Sequence, residues 1–147
     1  MSLQNLLGVS LEKAPPNALQ ITQLLAAANR NIADARIASL SEENQFDAAY
    51  KAIMQLAMVG LLANGYRPLT SKPGHHQTAI QSLTLKVGWP PEKVWPLDAL
   101  RKQRNLADYS GDLVSTAAVQ SCLNNAQLLH LHIRSWLQTH HPTLLPD

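Results

Sequence analysis

Between Asn17 and Leu40 the chain places apolar residues at Ala18, Ile21, Leu25, Ala28, Ile32, Ala35 and Ala38 or Ser39. Steps of three and four residues put these on one face of a helix. Asn17, directly after Pro15-Pro16, is suited to cap its start. A second helix is expected from the Ser41 cap, with Glu42, Glu43 and Asp47 near its positive end, to Gly65, which takes a left-handed stop cheaply. Its apolar positions (Ala49, Ile53, Leu56, Ala57, Met58, Leu61, Leu62) nearly encircle it, so it should be the most buried helix. "YRPLTSKPGHHQ" reads as a loop. A third helix follows, roughly His76 to Val87, with Ile80, Leu83 and Val87 on one side. "GWPPEKVWP" then reads as a break, its Trp89 and Trp95 expected to pack onto the bundle. A fourth helix runs through "LDALRKQRNLADYSGD" and ends at Gly111. A fifth, capped by Ser115, covers "TAAVQSCLNNAQLLHLHIRSWLQTH" before a proline-broken tail. No segment alternates as a strand should. The pattern predicts an all-α fold: an antiparallel up-and-down bundle of about five helices in one domain, residues 1–147, with tails at 1–16 and 140–147.

The 147-residue length fits a single domain. A net charge of +2 does not by itself mark a nucleic-acid binder, so any such role needs a local patch. With only 15% charged residues, self-association is favoured and a homodimer is expected. Cys122 is the one cysteine, which excludes an internal disulfide and fits a buried, inert thiol. The amino terminus has no basic region ahead of its short apolar patch, as a secretory signal would, and the apolar runs are shorter than a membrane span. A cytoplasmic location, away from the membrane, is expected.

The densest chemistry lies in the fourth helix. Arg101, Arg104, Asn105 and Asp108 fall at helical spacing, with Tyr109 at the edge of their stripe and Leu97, Leu100 and Ala107 toward the core. Clustered guanidiniums suit phosphate because their planar forks donate to two oxygens at once. Asparagine can orient them, and tyrosine can stack on a base. The plainer reading is an exposed Arg104–Asp108 pair worth about 0.3–0.5 kcal/mol, with Asn105 and Tyr109 tying the helix to a neighbour. The histidines do not form a metal set. His130 and His132 lie about 200° apart on a helix, His140 and His141 precede Pro142, and His75 and His76 stand alone in a glycine loop. No metal and no cofactor is expected.

The order of elements resembles the HEPN superfamily of small helical-bundle proteins. The resemblance runs from about Phe46 to Leu137: a long helix ending "MVGLLANGYRP", the loop "SKPGHH", a short helix, then "LDALRKQRNLADYSG" and a long last helix. Members of that superfamily include metal-independent ribonucleases, often toxins paired with nucleotidyltransferase-like antitoxins. Their arginine, four intervening residues and a histidine meet across a dimer. The arginine steadies phosphate and the histidine helps activate a ribose 2′-hydroxyl. Arg104 and Asn105 match this pattern, but Tyr109 stands where the histidine would be. A phenol with a pKa of about 10 is a poor general base near neutrality. The resemblance therefore implies a dimeric bundle, non-catalytic or weakly active, that binds RNA, DNA, a nucleotide or a partner protein, as in a toxin–antitoxin-like system. Two alternatives stand beside it. One is a divergent endoribonuclease using Arg104 with Tyr109, His75 or His76; the other is a purely structural dimeric module.

Overall fold

A computed structural model describes residues 6–8, 10–69, 74–111 and 114–145, the side chains of His75 and Lys86 excepted. Helix α1 spans Ala18–Ala35, and the Asn17 side chain accepts from the Gln20 N–H at 3.1 Å. Its buried stripe is Ile21, Leu25, Ala28, Ile32 and Ala35. The helix stops short of the expected Leu40 because Ala38 and Ser39 find nothing to bury against and are exposed. The Arg36 N–H turns back to the Ala33 carbonyl and the Ile37 N–H to that of Asp34, and Gln45 Nε2 donates to the Ile37 carbonyl at 2.9 Å.

Helix α2, Glu42–Ala63, is capped by Ser41, whose hydroxyl accepts from the Asn44 N–H. Twelve of its 22 residues are buried, which makes it the central helix. It packs chiefly against α1, then against the later helices described below. By length and composition α2 could cross a membrane, which the run lengths alone had not suggested. With 72% of its apolar window buried inside the bundle, the core accounts for that apolarity. Past its Asn64 cap, Gly65 takes φ +88°, the left-handed turn expected of it.

Two expectations are corrected between the first helices and the third. Residues 11–13 are not a free tail: β1, Leu11–Lys13, pairs antiparallel with β2, Tyr66–Pro68, in the register Leu11↔Pro68, Glu12↔Arg67 and Lys13↔Tyr66. The ribbon is too short to leave an alternating signature. It is held by an Arg67–Glu12 ion pair, by the Ala14 N–H to the Gly65 carbonyl, and by Leu11, which is completely buried.

Helix α3, His75–Lys86, starts from Gly74 at φ +82°. Helix α4, Pro91–Ser110, begins six residues before the expected Leu97, so most of the supposed break is helical. Pro91 occupies the first turn, where no intrahelical N–H is needed. Pro96 lies inside the helix and forgoes one bond near its start. Trp89 packs as expected, 2% exposed, with its indole N–H on the Lys93 carbonyl at 3.2 Å. Trp95 does not: it is carried outward by the helix and is 79% exposed.

Helix α5, Thr116–His140, is capped by the Ser115 hydroxyl and buries Ala118, Val119, Cys122, Ala126, Leu129, Ile133 and Leu137 against α2. Residues 140–145 of the expected carboxy-terminal tail are ordered too. A 3-10 turn at Pro142–Leu144 follows, and Leu144 and Leu145 pack against the core. The architecture is an all-α bundle with one small ribbon.

Candidate functional site on the fourth helix

α4 is the peripheral helix. Only Leu97 and Leu100 are fully buried on it, and it leans mainly on α3, with slighter contact to α2 and α5. Arg101, Lys102 and Arg104 are held by carboxylates of the same chain, while Lys93 lies over the Trp89 ring, 5.3 Å from its centroid. Arg101 Nε bonds Asp98 Oδ1 at 2.9 Å, and Lys102 Nζ lies 3.5 Å from Asp98 Oδ2. Burial opposes ionisation of Asp98, but the hydrogen bonds and charges of Arg101 and Lys102 outweigh it and hold the carboxyl below its usual range. Arg104 reaches across to α2, with Nε 3.4 Å from Asp47 Oδ1, while its Nη2 lies 3.8 Å from Asp108 Oδ2. Asp47 also pairs with Lys51 at 3.5 Å.

Beneath Arg104 lies Tyr50, 1% exposed, with the guanidinium carbon 5.1 Å from its ring centroid. Its phenol shares a 3.2 Å hydrogen bond with Nδ1 of His76 at the start of α3. Burial pushes the Tyr50 phenol up to about 12, against the opposing charges of Arg104 and Arg101, so it stays protonated near neutrality. A groove of about 340 Å³ opens beside Arg104, and Glu43, Asp47 and Asp108 line it as well. Three carboxylates against one guanidinium make it acidic, the wrong sign for phosphate.

The expected site residues are thus only partly gathered. Arg104, Asp108 and, through Tyr50, His76 share one corner. Arg101 is turned toward Asp98. Asn105 is half-buried, and its side chain forms no hydrogen bond among the described residues. Tyr109 lies at the edge of the stripe, four residues past Asn105, but it does not tie α4 to a neighbour, since it is 90% exposed. The His75 side chain lies outside the described residues. Asp47 and Tyr50 escaped the sequence reading because they sit on α2, far along the chain. The available signal was a tyrosine in a helix apolar all round, whose hydroxyl had to find a buried partner.

A different face of α4 is left open. Trp95, Ala99, Lys102, Leu106 and Tyr109 are all exposed and step by four, three, four and three residues. That 3.5-residue period is the seam spacing of paired helices. Leu106 is 60% exposed, so with Trp95 and Tyr109 three large apolar or aromatic groups face outward along one line. Fold and site together define an all-helical bundle with an unpaired amphipathic helix on its flank. Among known proteins, no family model matches the chain and no curated protein matches it.

Proposed function

We propose that this chain is a HEPN-like, non-catalytic association module that pairs with a second copy through the exposed face of α4. The observation that supports this is the seam-spaced line Trp95–Leu106–Tyr109 on a helix whose Arg101, Lys102 and Arg104 are already matched by Asp98, Asp47 and Asp108. Cations so neutralised, beside an acidic groove, lend little support to binding of RNA, DNA or a nucleotide at Arg101 and Arg104. A solvated Trp, Leu and Tyr gain by being covered, at roughly 25 cal/mol per Å² of apolar surface. Light scattering behind size-exclusion chromatography tests it. The wild type should elute as a dimer at tens of micromolar, and Trp95→Glu/Leu106→Glu as a folded monomer. A monomeric wild type, or a variant dimer of unchanged mass, removes the reading.

One juxtaposition favours a second reading. His76 reaches the ring on which Arg104 lies, so an imidazole and a guanidinium share a corner, as a divergent endoribonuclease would need in place of the missing motif histidine. RNA incubated with the protein in EDTA would then acquire cyclic-phosphate ends, and His76→Ala would stop this. Intact RNA at high protein concentration eliminates it.

A further inference from the structure

Three helices end on one cavity. The C-caps of α2, α3 and α5, namely Asn64, Val87 and His141, all line a hollow of about 620 Å³ that shares no residue with the exposed face of α4. The last carbonyls of a helix have no intrahelical donor, and the summed peptide dipoles leave each C-terminus with roughly half a negative charge. Three such ends around one space make a negative field from backbone alone. No Asp, Glu, Lys or Arg contributes to the wall among the described residues.

Beside Thr84, Leu85 and Gly88, the remainder of that wall is aromatic. Trp136 carries the rings of His140 and His141 at 5.9 and 5.0 Å between centroids. His132 meets Trp89 edge-on at 5.2 Å, and its Nε2–H donates to the Val87 carbonyl at 2.7 Å. That bond fixes the ring's orientation and, in the neutral tautomer, leaves Nδ1 as an acceptor. Ring faces with a negative quadrupole beside backbone dipoles of the same sign attract a diffuse positive charge. Among the described residues no group of three His, Cys, Asp or Glu is placed to hold a metal ion, so the arrangement suits an organic cation better than an inorganic one.

We propose that this cavity binds a small organic ammonium ion, its alkyl groups against Trp136 and its charge toward the three helix ends. The volume lies within the range of ordinary small-ligand sites, roughly 300–1,000 Å³.

The test is proton–nitrogen NMR of the wild-type chain titrated with choline, with its neutral isostere 3,3-dimethylbutanol, and with acetate. Choline should give saturable shifts at the Trp136 indole and the Gly88 amide, with the isostere at least about tenfold weaker and acetate without effect. Trp136→Leu should weaken choline by about tenfold or more, and Trp136→Phe, which keeps a ring face, by clearly less. Equal response to choline and the isostere overturns the proposal. So do stronger binding of acetate, shifts centred on Trp95, or no response to choline at the highest soluble concentration. The wild-type comparison decides the matter even if Trp136→Leu does not fold. Loss of the dimer by the α4 variant leaves it untouched, because the two sites share no residue.

Discussion

Single side chains here are governed by whether a partner was within reach when water was removed. Cys122 had little more than the Phe46 carbonyl, 3.8 Å from its sulfur, and burial pushes its thiol up to about 12, so it stays unreactive in the core. His130 is the less settled case. Its Nε2 is buried and has no hydrogen-bond partner among the described residues, and burial, followed by the charge of Arg134, lowers its pKa from the usual histidine value. A group whose pKa is depressed on folding binds more protons in the unfolded chain. Its contribution to stability is therefore whole above the unfolded value of about 6.5 and is lost as pH falls through the folded one. Urea unfolding should show this: replacing His130 by Leu should flatten the loss of stability on acidification below pH about 6.5 and cost little at pH 8. An unaltered pH profile in that variant would show that the acid sensitivity lies elsewhere.

Among whole helices, one close approach is set by the absence of a side chain. A Cβ built on Gly60, in the interior of α2, would stand 2.8 Å from Cγ2 of Val87 at the end of α3. Valine has little rotameric room to retreat. Gly60→Ala should gain about 1 kcal/mol of helix propensity yet lose about 1–3 kcal/mol to overpacking, for a net destabilisation near 1 kcal/mol by chemical denaturation. Combining it with Val87→Ala should cost less than the two separate losses added, by more than about 0.5 kcal/mol, because one clash is shared. Simple additivity would mean that the helices do not press together there. The helix faces themselves were readable in advance. Ile21, Leu25, Ala28, Ile32 and Ala35 on α1 line the core at the spacing they show in the chain. The start of α4 was not, since three prolines in "GWPPEKVWP" look like a break. The backbone shows that the turn is helical, with the Lys93 N–H on the Pro90 carbonyl at 2.9 Å, and the Trp89 indole N–H bonds the Lys93 carbonyl.

For the molecule as a whole, the pairing proposed through α4 has a geometrical consequence. In a two-fold antiparallel pair centred on Lys102, Trp95 of one copy meets Tyr109 of the other, each seven residues from the centre. Lys102 would then approach its own copy, with only the shared Asp98 carboxylate to offset the repulsion. Lys102→Gln should therefore tighten the dimer and weaken its dependence on salt, read by sedimentation at low and high ionic strength. A variant that dissociates more readily would place the symmetry axis elsewhere on the helix.

The five helices, the caps at Asn17, Ser41 and Ser115 and the central place of α2 were written in the chain itself. Each depends on residues no more than a few positions apart, where spacing and side-chain chemistry act directly. The pairing of Leu11–Lys13 with Tyr66–Pro68, the reach of Arg104 to Asp47, the burial of Tyr50 against His76 and the meeting of three helix ends at one cavity were decided only by tertiary structure. These join residues dozens of positions apart, and such neighbours are chosen by how whole helices stack to exclude water. The same stacking turned Arg104 toward Asp47 and left Trp95 and Tyr109 facing solvent.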